Sequence, residues 1–365
     1  MKYRINRRTG SRISEIGLGT AALWEAGMEE GVRALRTALE GGINYYDLAT
    51  SDASMFPVFG EAFAADREKV QYQVHFGADY TQGAYDWSLE ADRVRASVEY
   101  QLQSLKTDYV DFGFIHCQDE HSDWETYQKN GVLRYLEDMK RAGVVRHIGL
   151  SSHTPDVIER ILDTGLVDML MFSVNPGYDY SHGEYAHGSV EERQALYTRC
   201  EREGIGISVM KPFSGGQLLD KSRSPFGMAM TRFQCIQYAL DRPGVLTVLP
   251  GVRNEQDVKE ILRYEQASDA ERDYSVLGGV TPREAAGICV YCNHCRPCPA
   301  GLDIGMINKF YDLARLGDAM AAEHYRQLDK NAADCVACGH CDSRCPFGVK
   351  QVERMQEIRS WFAEN

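Results

Sequence analysis

Short apolar runs alternate with longer amphipathic stretches from the start of the chain to about residue 265, and this alternation constrains the fold most. The candidate strands lie near residues 14–18, 43–46, 69–75, 109–115, 145–150, 168–173, 205–210 and 245–249. The helical patterns lie near residues 29–40, 58–65, 90–105, 125–141, 155–163, 189–203, 227–240 and 255–264. Because strands that alternate with helices pair in parallel through right-handed crossovers, eight such repeats over about 250 residues predict a closed (β/α)8 TIM barrel. The polar segment from Tyr3 to Ser14 predicts a hairpin ahead of the barrel.

Eight of the eleven cysteines form two short runs near the C-terminus, and each run is followed by proline. The runs are Cys289, Cys292, Cys295 and Cys298, and then Cys335, Cys338, Cys341 and Cys345. The second run has the C-x2-C-x2-C-x3-C-P spacing of bacterial [4Fe–4S] ferredoxins, in which the fourth cysteine binds the other cluster. The sequence therefore predicts two [4Fe–4S] clusters, with paired zinc sites or disulfides as alternatives. The first run is one residue shorter between its last two cysteines, so the pairing of Cys298 and Cys345 stays open.

The cysteine-rich tail is helical in pattern between its two runs. The segment Thr281-Pro282-Arg283-Glu284 predicts a capping box that opens a helix. Further helices are predicted over Met306 to Leu316 and Asp318 to Leu328. We therefore expect a barrel domain over residues 1–275 and a small α-helical ferredoxin-like iron–sulfur domain over residues 276–365.

Composition excludes several classes of partner. A formal net charge of −13 and a pI near 5.3 argue against nucleic acid and anionic membranes, both of which attract clustered Lys and Arg. No run of 18 apolar residues is present, so no membrane span is expected. Arg7 and Arg8 are followed by polar residues where a twin-arginine export signal needs an apolar stretch. We expect a cytoplasmic protein, since a reducing compartment keeps cluster thiolates free.

Three ionisable residues are predicted at the ends of consecutive barrel strands. Asp47 ends the second strand, His75 the third and His116 the fourth. Catalytic groups of such barrels lie at the C-terminal ends of the strands, so these side chains should converge on one mouth. The alternative is that they are separate structural polar residues.

Several segments resemble the aldo-keto reductase family through the whole barrel. They are Ile16-Gly17-Leu18-Gly19-Thr20, Asn44-Tyr45-Tyr46-Asp47, Asp108-Tyr109-Val110-Asp111, Arg146-His147-Ile148-Gly149-Leu150-Ser151 and Leu249-Pro250-Gly251-Val252-Arg253. The cysteine-rich tail and the segment from Lys211 to Gly216 resemble the branch of that family fused to a ferredoxin domain. The resemblance implies reduction of carbonyls by NAD(P)H through an Asp, Tyr, Lys and His tetrad, in which the tyrosine is the general acid.

Two members of that tetrad are replaced in this sequence. Asp47 and His116 match the family's aspartate and histidine, whereas Asp52 stands at the tyrosine position and His75 at the lysine position. A phenol with a pKa near ~10 is a proton donor at neutral pH, whereas an aspartate near ~3.9 is already ionised. A histidine near ~6.5 is the more natural proton carrier. We therefore hypothesise that an Asp52–His75 pair replaces the Tyr–Lys pair, within a catalytic set of Asp47, Asp52, His75 and His116. Other phenols considered for this mouth are those of Tyr45, Tyr46 and Tyr80.

The resemblance also implies a nucleotide site, which departs from the family at its nicotinamide end. Gly251 and Arg253, after the eighth strand, keep the character of a phosphate-binding loop. The family's Ser-Asn pair and its glutamine are replaced here by Ser151-Ser152 and by Met171. NAD(P) is therefore kept as a candidate cofactor. The residues assigned to it are Ser151, Ser152, Asn175, Gly251 and Arg253.

Three functional hypotheses follow. The first is an aldo-keto reductase-like iron–sulfur oxidoreductase that acts on a small carbonyl or hydroxyl substrate. Because hydride transfer moves two electrons and each cluster carries one, the clusters would be structural or would exchange electrons with an external partner. The alternative is a non-hydride acid–base enzyme, such as a lyase, dehydratase or epimerase, and a variant of it places a divalent metal on the Asp and His residues. A non-catalytic electron carrier is a third reading.

Overall fold

The strands and helices follow the predicted alternation in the computed structural model, which describes residues 1–180, 182–183, 185–279, 287, 289–315 and 319–364. The strands are β1 (Tyr3–Ile5), β2 (Arg12–Ser14), β3 (Leu18–Gly19), β4 (Tyr45–Asp47), β5 (Gln71–Phe76), β6 (Ala78–Asp79), β7 (Asp86–Trp87), β8 (Val110–Ile115), β9 (Val145–Ser151), β10 (Met169–Ser173), β11 (Gly206–Met210) and β12 (Val245–Val248). The helices are α1 (Gly27–Glu40), α2 (Met55–Phe63), α3 (Ala91–Ser104), α4 (His121–Lys129), α5 (Val132–Arg141), α6 (Pro155–Leu162), α7 (Pro176–Asp179), α8 (Val190–Glu203), α9 (Arg232–Leu240), α10 (Glu255–Leu262), α11 (Asp269–Arg272), α12 (Ile304–Arg315), α13 (Ala319–Arg326), α14 (His340–Arg344) and α15 (Gln351–Glu364).

Eight parallel strands form a nearly closed barrel in the order β3-β4-β5-β8-β9-β10-β11-β12. Its first and last strands meet through parallel bridges that join Ile16 to Val248 and Gly19 to Gly251. A core of buried side chains that includes Tyr45, Phe112 and Met169 packs among the strands. The predicted (β/α)8 barrel is therefore confirmed, and the predicted N-terminal hairpin forms from β1 and β2.

The chain divides into two compact units. The first comprises residues 1–174, 204–212 and 245–267, and it holds every strand of the barrel. The second comprises residues 175–203, 213–244 and 268–365, so it contains α8 and α9 as well as the helical, cysteine-rich tail. The sequence-based boundary between residues 275 and 276 stays a prediction.

Buried apolar side chains give the tail a core of its own. Ile304, Ile307 and Ile358 pack there with buried Cys295 and Cys341. The helical character of the predicted iron–sulfur region is confirmed by α12 to α15, whereas the predicted capping box at residues 281–284 lies outside the described residues.

Two helix boundaries show how local chemistry decides the elements. The helix predicted over residues 125–141 is instead two helices, because Gly131 adopts a left-handed φ of 81° between α4 and α5. Asn254 caps α10 by accepting a hydrogen bond from the amide of Asp257 at 2.9 Å. A search of the described residues finds no helix with the length and hydrophobicity of a membrane span.

The close packing of α2 on the end of α3 predicts a specific sensitivity. A Cβ added to Gly60 would lie 2.2 Å from the carbonyl oxygen of Ser104, and a backbone atom cannot move aside cheaply. We expect Gly60→Ala to lower the free energy of unfolding by about 1–3 kcal/mol, measured by urea denaturation. The control is Glu61→Ala on the exposed face of the same helix, which should change stability little. Equal effects of the two substitutions would contradict the predicted clash.

Candidate active site and cysteine sites

Asp47, His75 and His116 come together at the barrel mouth and form hydrogen bonds in series. Nε2 of His75 lies 2.7 Å from Oδ1 of Asp47, and Nδ1 of His75 lies 3.0 Å from Nδ1 of His116. Their exposures are only 4% for Asp47, 2% for His75 and 7% for His116. The three strand ends that the sequence predicted to converge therefore do so, in the order Asp47–His75–His116.

A buried polar network holds the aspartate end of this series. Gln73, on β5, donates from Nε2 to Oδ1 of Asp47 at 3.0 Å. Its own amide oxygen accepts hydrogen bonds from the hydroxyl groups of Tyr45 at 2.7 Å and Ser208 at 3.0 Å. Because a buried carboxylate needs hydrogen-bond donors, these contacts fix Asp47 and, through it, the ring of His75.

Tyr85 extends the series to the surface, and sequence reasoning missed it. Its hydroxyl lies 2.9 Å from Nε2 of His116, and the residue is 41% exposed. Of the four side chains in the series, Tyr85 is thus the one that reaches solvent. One set of tautomers satisfies all three contacts: Tyr85 donates to His116, Nδ1–H of His116 donates to His75, and Nε2–H of His75 donates to Asp47.

Backbone pairing with the loop after β4 positions Tyr85. Asp52 forms a bridge with Ala84, and the amide of Tyr85 donates to the carbonyl of Ser51 at 3.1 Å. Arg93 holds the adjacent β6–β7 hairpin by binding the carboxylates of Asp79 and Asp86. The segment that carries Tyr85 therefore pairs with the segment that contains Asp52. Asp52 stands where the family that this sequence resembles has its tyrosine.

Asp52 itself does not join the series. Its carboxylate accepts a hydrogen bond from the amide of Ser54 at 2.8 Å, and its pKa is lowered chiefly by its hydrogen bonds with Ser54. Among the described residues it forms no hydrogen bond with His75, whose contacts are with Asp47, Gln73 and His116. The hypothesised Asp52–His75 pair is not formed, because the chain turns at Asp52 into the first turn of α2.

Burial sets the protonation of the two groups nearest the surface. It lowers the pKa of His116 well below the usual value, and the neighbouring His75 adds to this shift. Burial, together with Cys117 and nearby carboxylates, raises the pKa of Tyr85 to about 12. At neutral pH the imidazole of His116 is therefore uncharged and the phenol of Tyr85 keeps its proton.

Ser151, Ser152 and Asn175, assigned to the nicotinamide end, are engaged in internal hydrogen bonds. The hydroxyl of Ser151 accepts from the amide of Cys117 at 2.9 Å and lies 3.3 Å from Nδ1 of His116. The hydroxyl of Ser152 donates to Asp119 at 3.2 Å. Asn175, in the second unit, caps α7 by accepting a hydrogen bond from the amide of Tyr178. These side chains position backbone, so a direct role in binding nicotinamide stays a prediction.

The loop after β12 retains one group suited to a nucleotide phosphate. Arg253 is exposed directly before α10, and Gly251 bridges Gly19 at the barrel rim. Amides in the first turn of α10 are already bound by side chains, since Glu255 donates to Glu30 and Asp257 to Asn254. The guanidinium of Arg253 is therefore the group here that fits a phosphate.

A second polar group lies beside the barrel mouth. His153 contacts Asp119 through Nδ1 at 2.9 Å, and its Nε2 lies 2.6 Å from Nζ of Lys211. Cys117 donates to Asp119 at 3.6 Å, and burial raises the pKa of its thiol to about 12. Cys117, Asp119 and His153 have donor atoms within 4.8 Å of one another, but the ammonium of Lys211 beside them disfavours a metal cation.

All eleven cysteines are free, which excludes the disulfide alternative in this structure. Eight of them line two small cavities of the second unit. One cavity is lined by Cys289, Cys292, Cys295 and Cys345. The other is lined by Cys298, Cys335, Cys338 and Cys341. Each cavity thus takes three cysteines from one run and the last cysteine of the other, which is the crossed arrangement of a two-cluster ferredoxin and fits two cubanes better than zinc.

Comparison with known proteins agrees with both parts of the chain. The model of the aldo/keto reductase family matches residues 15–234, and a 4Fe-4S dicluster domain matches residues 285–349. An uncharacterized oxidoreductase of Bacillus subtilis, YqkF, is 26% identical over 71% of this chain and 89% of its own length. L-galactose dehydrogenase of Arabidopsis thaliana is 24% identical over 71% of this chain and 86% of its own. Among solved structures, aldo-keto reductase AKR11C1 of Bacillus halodurans in its holo form superposes with a TM-score of 0.58, at 22% identity, over 74% of this chain and 94% of that chain.

The lowered pKa of His116 predicts a pH-dependent stability. Below about pH 6.5 the unfolded chain takes up a proton at this histidine that the folded protein does not, so the free energy of unfolding falls as the pH falls. We expect His116→Gln to remove up to about 1.4 kcal/mol per pH unit of this slope between about pH 6.5 and pH 5, measured by urea denaturation. Parallel stability curves for the variant and the native protein would contradict this assignment.

Proposed function

Because the chain belongs to the aldo/keto reductase family and carries a 4Fe-4S domain, we propose that it is an NAD(P)H-dependent oxidoreductase that interconverts a small carbonyl compound and its alcohol. The observation that carries this proposal is the series Asp47–His75–His116–Tyr85, which begins at a buried carboxylate and ends at an exposed phenol. The phenol of Tyr85 supplies a proton donor at this end of the series. In the family that donor is a tyrosine at the position that Asp52 occupies here.

One added proton reverses the direction of the whole series. When His75 is an imidazolium, it donates from Nε2 to Asp47 and from Nδ1 to His116. His116 then donates from Nε2 to the oxygen of Tyr85, which frees the phenol proton for a carbonyl oxygen. His116 stays neutral in both states, in agreement with its lowered pKa. The added charge lies on His75, next to the carboxylate of Asp47.

Proton donation returns the series to its other tautomers. Bound nicotinamide would supply the hydride to the carbonyl carbon. Tyr85 gives its proton to the carbonyl oxygen, takes one from His116, and His116 takes one from His75. The balance is one carbonyl, one NAD(P)H and one proton consumed for one alcohol and one NAD(P)+ formed.

Arg253 supports the nicotinamide nucleotide as the hydride source. Its exposed guanidinium can bind a phosphate of the cofactor, as the resemblance to the family implies. Small aldehydes and ketones are the substrate class proposed, since Tyr85 presents a single proton donor to solvent at the mouth.

The tail is proposed to hold two [4Fe–4S] clusters, one for each group of four cysteines. Each cluster would take up one electron at a time, whereas the barrel reaction moves a hydride. We therefore assign to the clusters an exchange of single electrons with an external carrier, separate from the hydride step.

Replacing the phenol tests the proposed reductase. We expect Tyr85→Phe to lower kcat for carbonyl reduction by about 10²–10⁴-fold with a smaller effect on KM, because the proton donor is lost while the fold remains. The assay follows NADPH absorbance with a panel of small aldehydes and ketones. Tyr100→Phe is the matched control, because that phenol donates to the backbone carbonyl of Ala53.

Two outcomes of this assay would count against the proposal. Equal kcat values for Tyr85→Phe and the native protein would remove Tyr85 from the reaction. Substrate turnover without any oxidation of NADPH would favour the lyase, dehydratase or epimerase alternative instead.

Paired cysteine substitutions test the crossed arrangement of the clusters. We expect Cys298→Ser to lose about half of the bound iron and sulfide, and a second substitution, Cys335→Ser, to remove little more, because both residues line one cavity. Cys298→Ser combined with Cys289→Ser should lose both clusters. Iron and sulfide analysis of anaerobically purified protein is the measurement, with Cys117→Ser as the control. The reverse pattern would show uncrossed ligation.

A further inference from the structure

The second unit contains a fully buried guanidinium beside the first cysteine run. Arg242, which follows α9, is 0% exposed. Its Nη2 donates to the carbonyl of Val290 and to the hydroxyl of Tyr274, the latter at 3.2 Å. Its Cζ lies 4.4 Å from the ring centroid of Tyr238 and 5.8 Å from that of Tyr291. Nε and Nη1 are buried and have no hydrogen-bond partner among the described residues.

The carboxylates nearest to this guanidinium are satisfied by other groups. Asp241 accepts hydrogen bonds from Tyr274 at 2.8 Å and from Gln237 at 2.7 Å. Asp179 accepts from Tyr238 at 2.8 Å and forms an ion pair with the equally buried Arg193 at 2.8 Å.

The charge of Arg242 is therefore balanced only in part by side chains, through the longer-range attraction of Asp241 and Asp179. Among the described residues no carboxylate lies within ion-pair distance of it. A buried, unpaired cation is strongly destabilising, so a negative charge from another source is required.

Two of the groups that Arg242 contacts, the carbonyl of Val290 and the ring of Tyr291, belong to the ligand loop of one cavity. Val290 and Tyr291 lie between Cys289 and Cys292, which line the first cavity together with Cys295 and Cys345. A [4Fe–4S] cluster held by four thiolates is negatively charged in both redox states, and it gains a further negative charge on reduction. Nearby positive charge favours the reduced state, because net charge around a cluster sets its reduction potential.

We infer that Arg242 is the buried counter-charge of the first [4Fe–4S] cluster, that it holds the Cys289–Cys292 loop through the carbonyl of Val290, and that it raises the reduction potential of this cluster. The inference rests on the proposed presence of two clusters but not on the reaction of the barrel. Arg242 is a positioning residue, since it acts on the cluster through charge and through the ligand loop. A role in packing alone would leave the potential unchanged.

Redox titration of the full-length, anaerobically purified protein, followed by electron paramagnetic resonance, tests this role. We expect Arg242→Gln to lower the equilibrium constant for reduction of the first cluster at least tenfold, which is a shift of about 59 mV to more negative potential for one electron. The second cluster of the same molecule should keep its potential. Arg242→Lys, which keeps the charge, should retain most of the native potential, and Arg223→Gln on the surface is the matched control.

The Cys345→Ser and Cys298→Ser variants assign the two resonance signals to their cavities. Native potentials for both clusters in Arg242→Gln, at full iron content, would overturn the inference. If Arg242→Gln does not retain the first cluster, the Arg242→Lys variant is the test. A first cluster with near-native potential in Arg242→Lys supports the role of the positive charge. Loss of the first cluster from Arg242→Lys as well contradicts that role. Native protein that lacks iron and sulfide at the first cavity would defeat the two-cluster proposal itself, and that result is read from the metal analysis before any variant is made.

Discussion

The contact between the carboxylate of Asp47 and the imidazole of His75 organises the barrel mouth. A carboxylate that is only 4% exposed must find its hydrogen-bond donors within the protein, and Gln73 and His75 provide them. Once Nε2 of His75 is committed to Asp47, its Nδ1 faces His116, and Nε2 of His116 faces Tyr85. The order of the hydrogen bonds at the mouth thus follows from one buried carboxylate. Each histidine binds the inner residue through one ring nitrogen, which leaves the other nitrogen to bind the next residue toward the surface.

The same demand for charge compensation orders the second unit. Asp179 receives hydrogen bonds from two tyrosines and forms an ion pair with Arg193, so its burial is fully supported by side chains. Arg242 lacks such a partner and contacts the loop that carries two cysteines of the first cavity. On the proposed assignment, an anionic cluster would compensate the part of this charge that the side chains do not.

Much of the fold and part of the site could be predicted from periodicity and from strand ends. The eight strand–helix repeats predicted the barrel, and the ends of three strands predicted that Asp47, His75 and His116 meet. The phenols of Tyr45, Tyr46 and Tyr80 do not join the series, because each is buried and donates to another group: the side chain of Gln73, the carbonyl of Ile43 and the carbonyl of Thr50, respectively. Tyr85 lies in a loop after β5, and only its pairing with the Ser51–Ala53 segment brings its hydroxyl to His116. The signal for Tyr85 that the sequence offered was its place in the loop after the third barrel strand, at the end of the barrel where catalytic groups lie.

The amino-acid sequence by itself determined the alternation of strands and helices and the ligand spacing of the two cysteine runs, because both depend on residues that are near one another along the chain. The tertiary structure decided which phenol reaches His116, that Asp52 binds the amide of Ser54 instead of His75, and which run supplies the fourth cysteine of each cavity. These outcomes depend on distances between segments separated by tens of residues, and such distances are set by how strands, loops and helices pack in three dimensions.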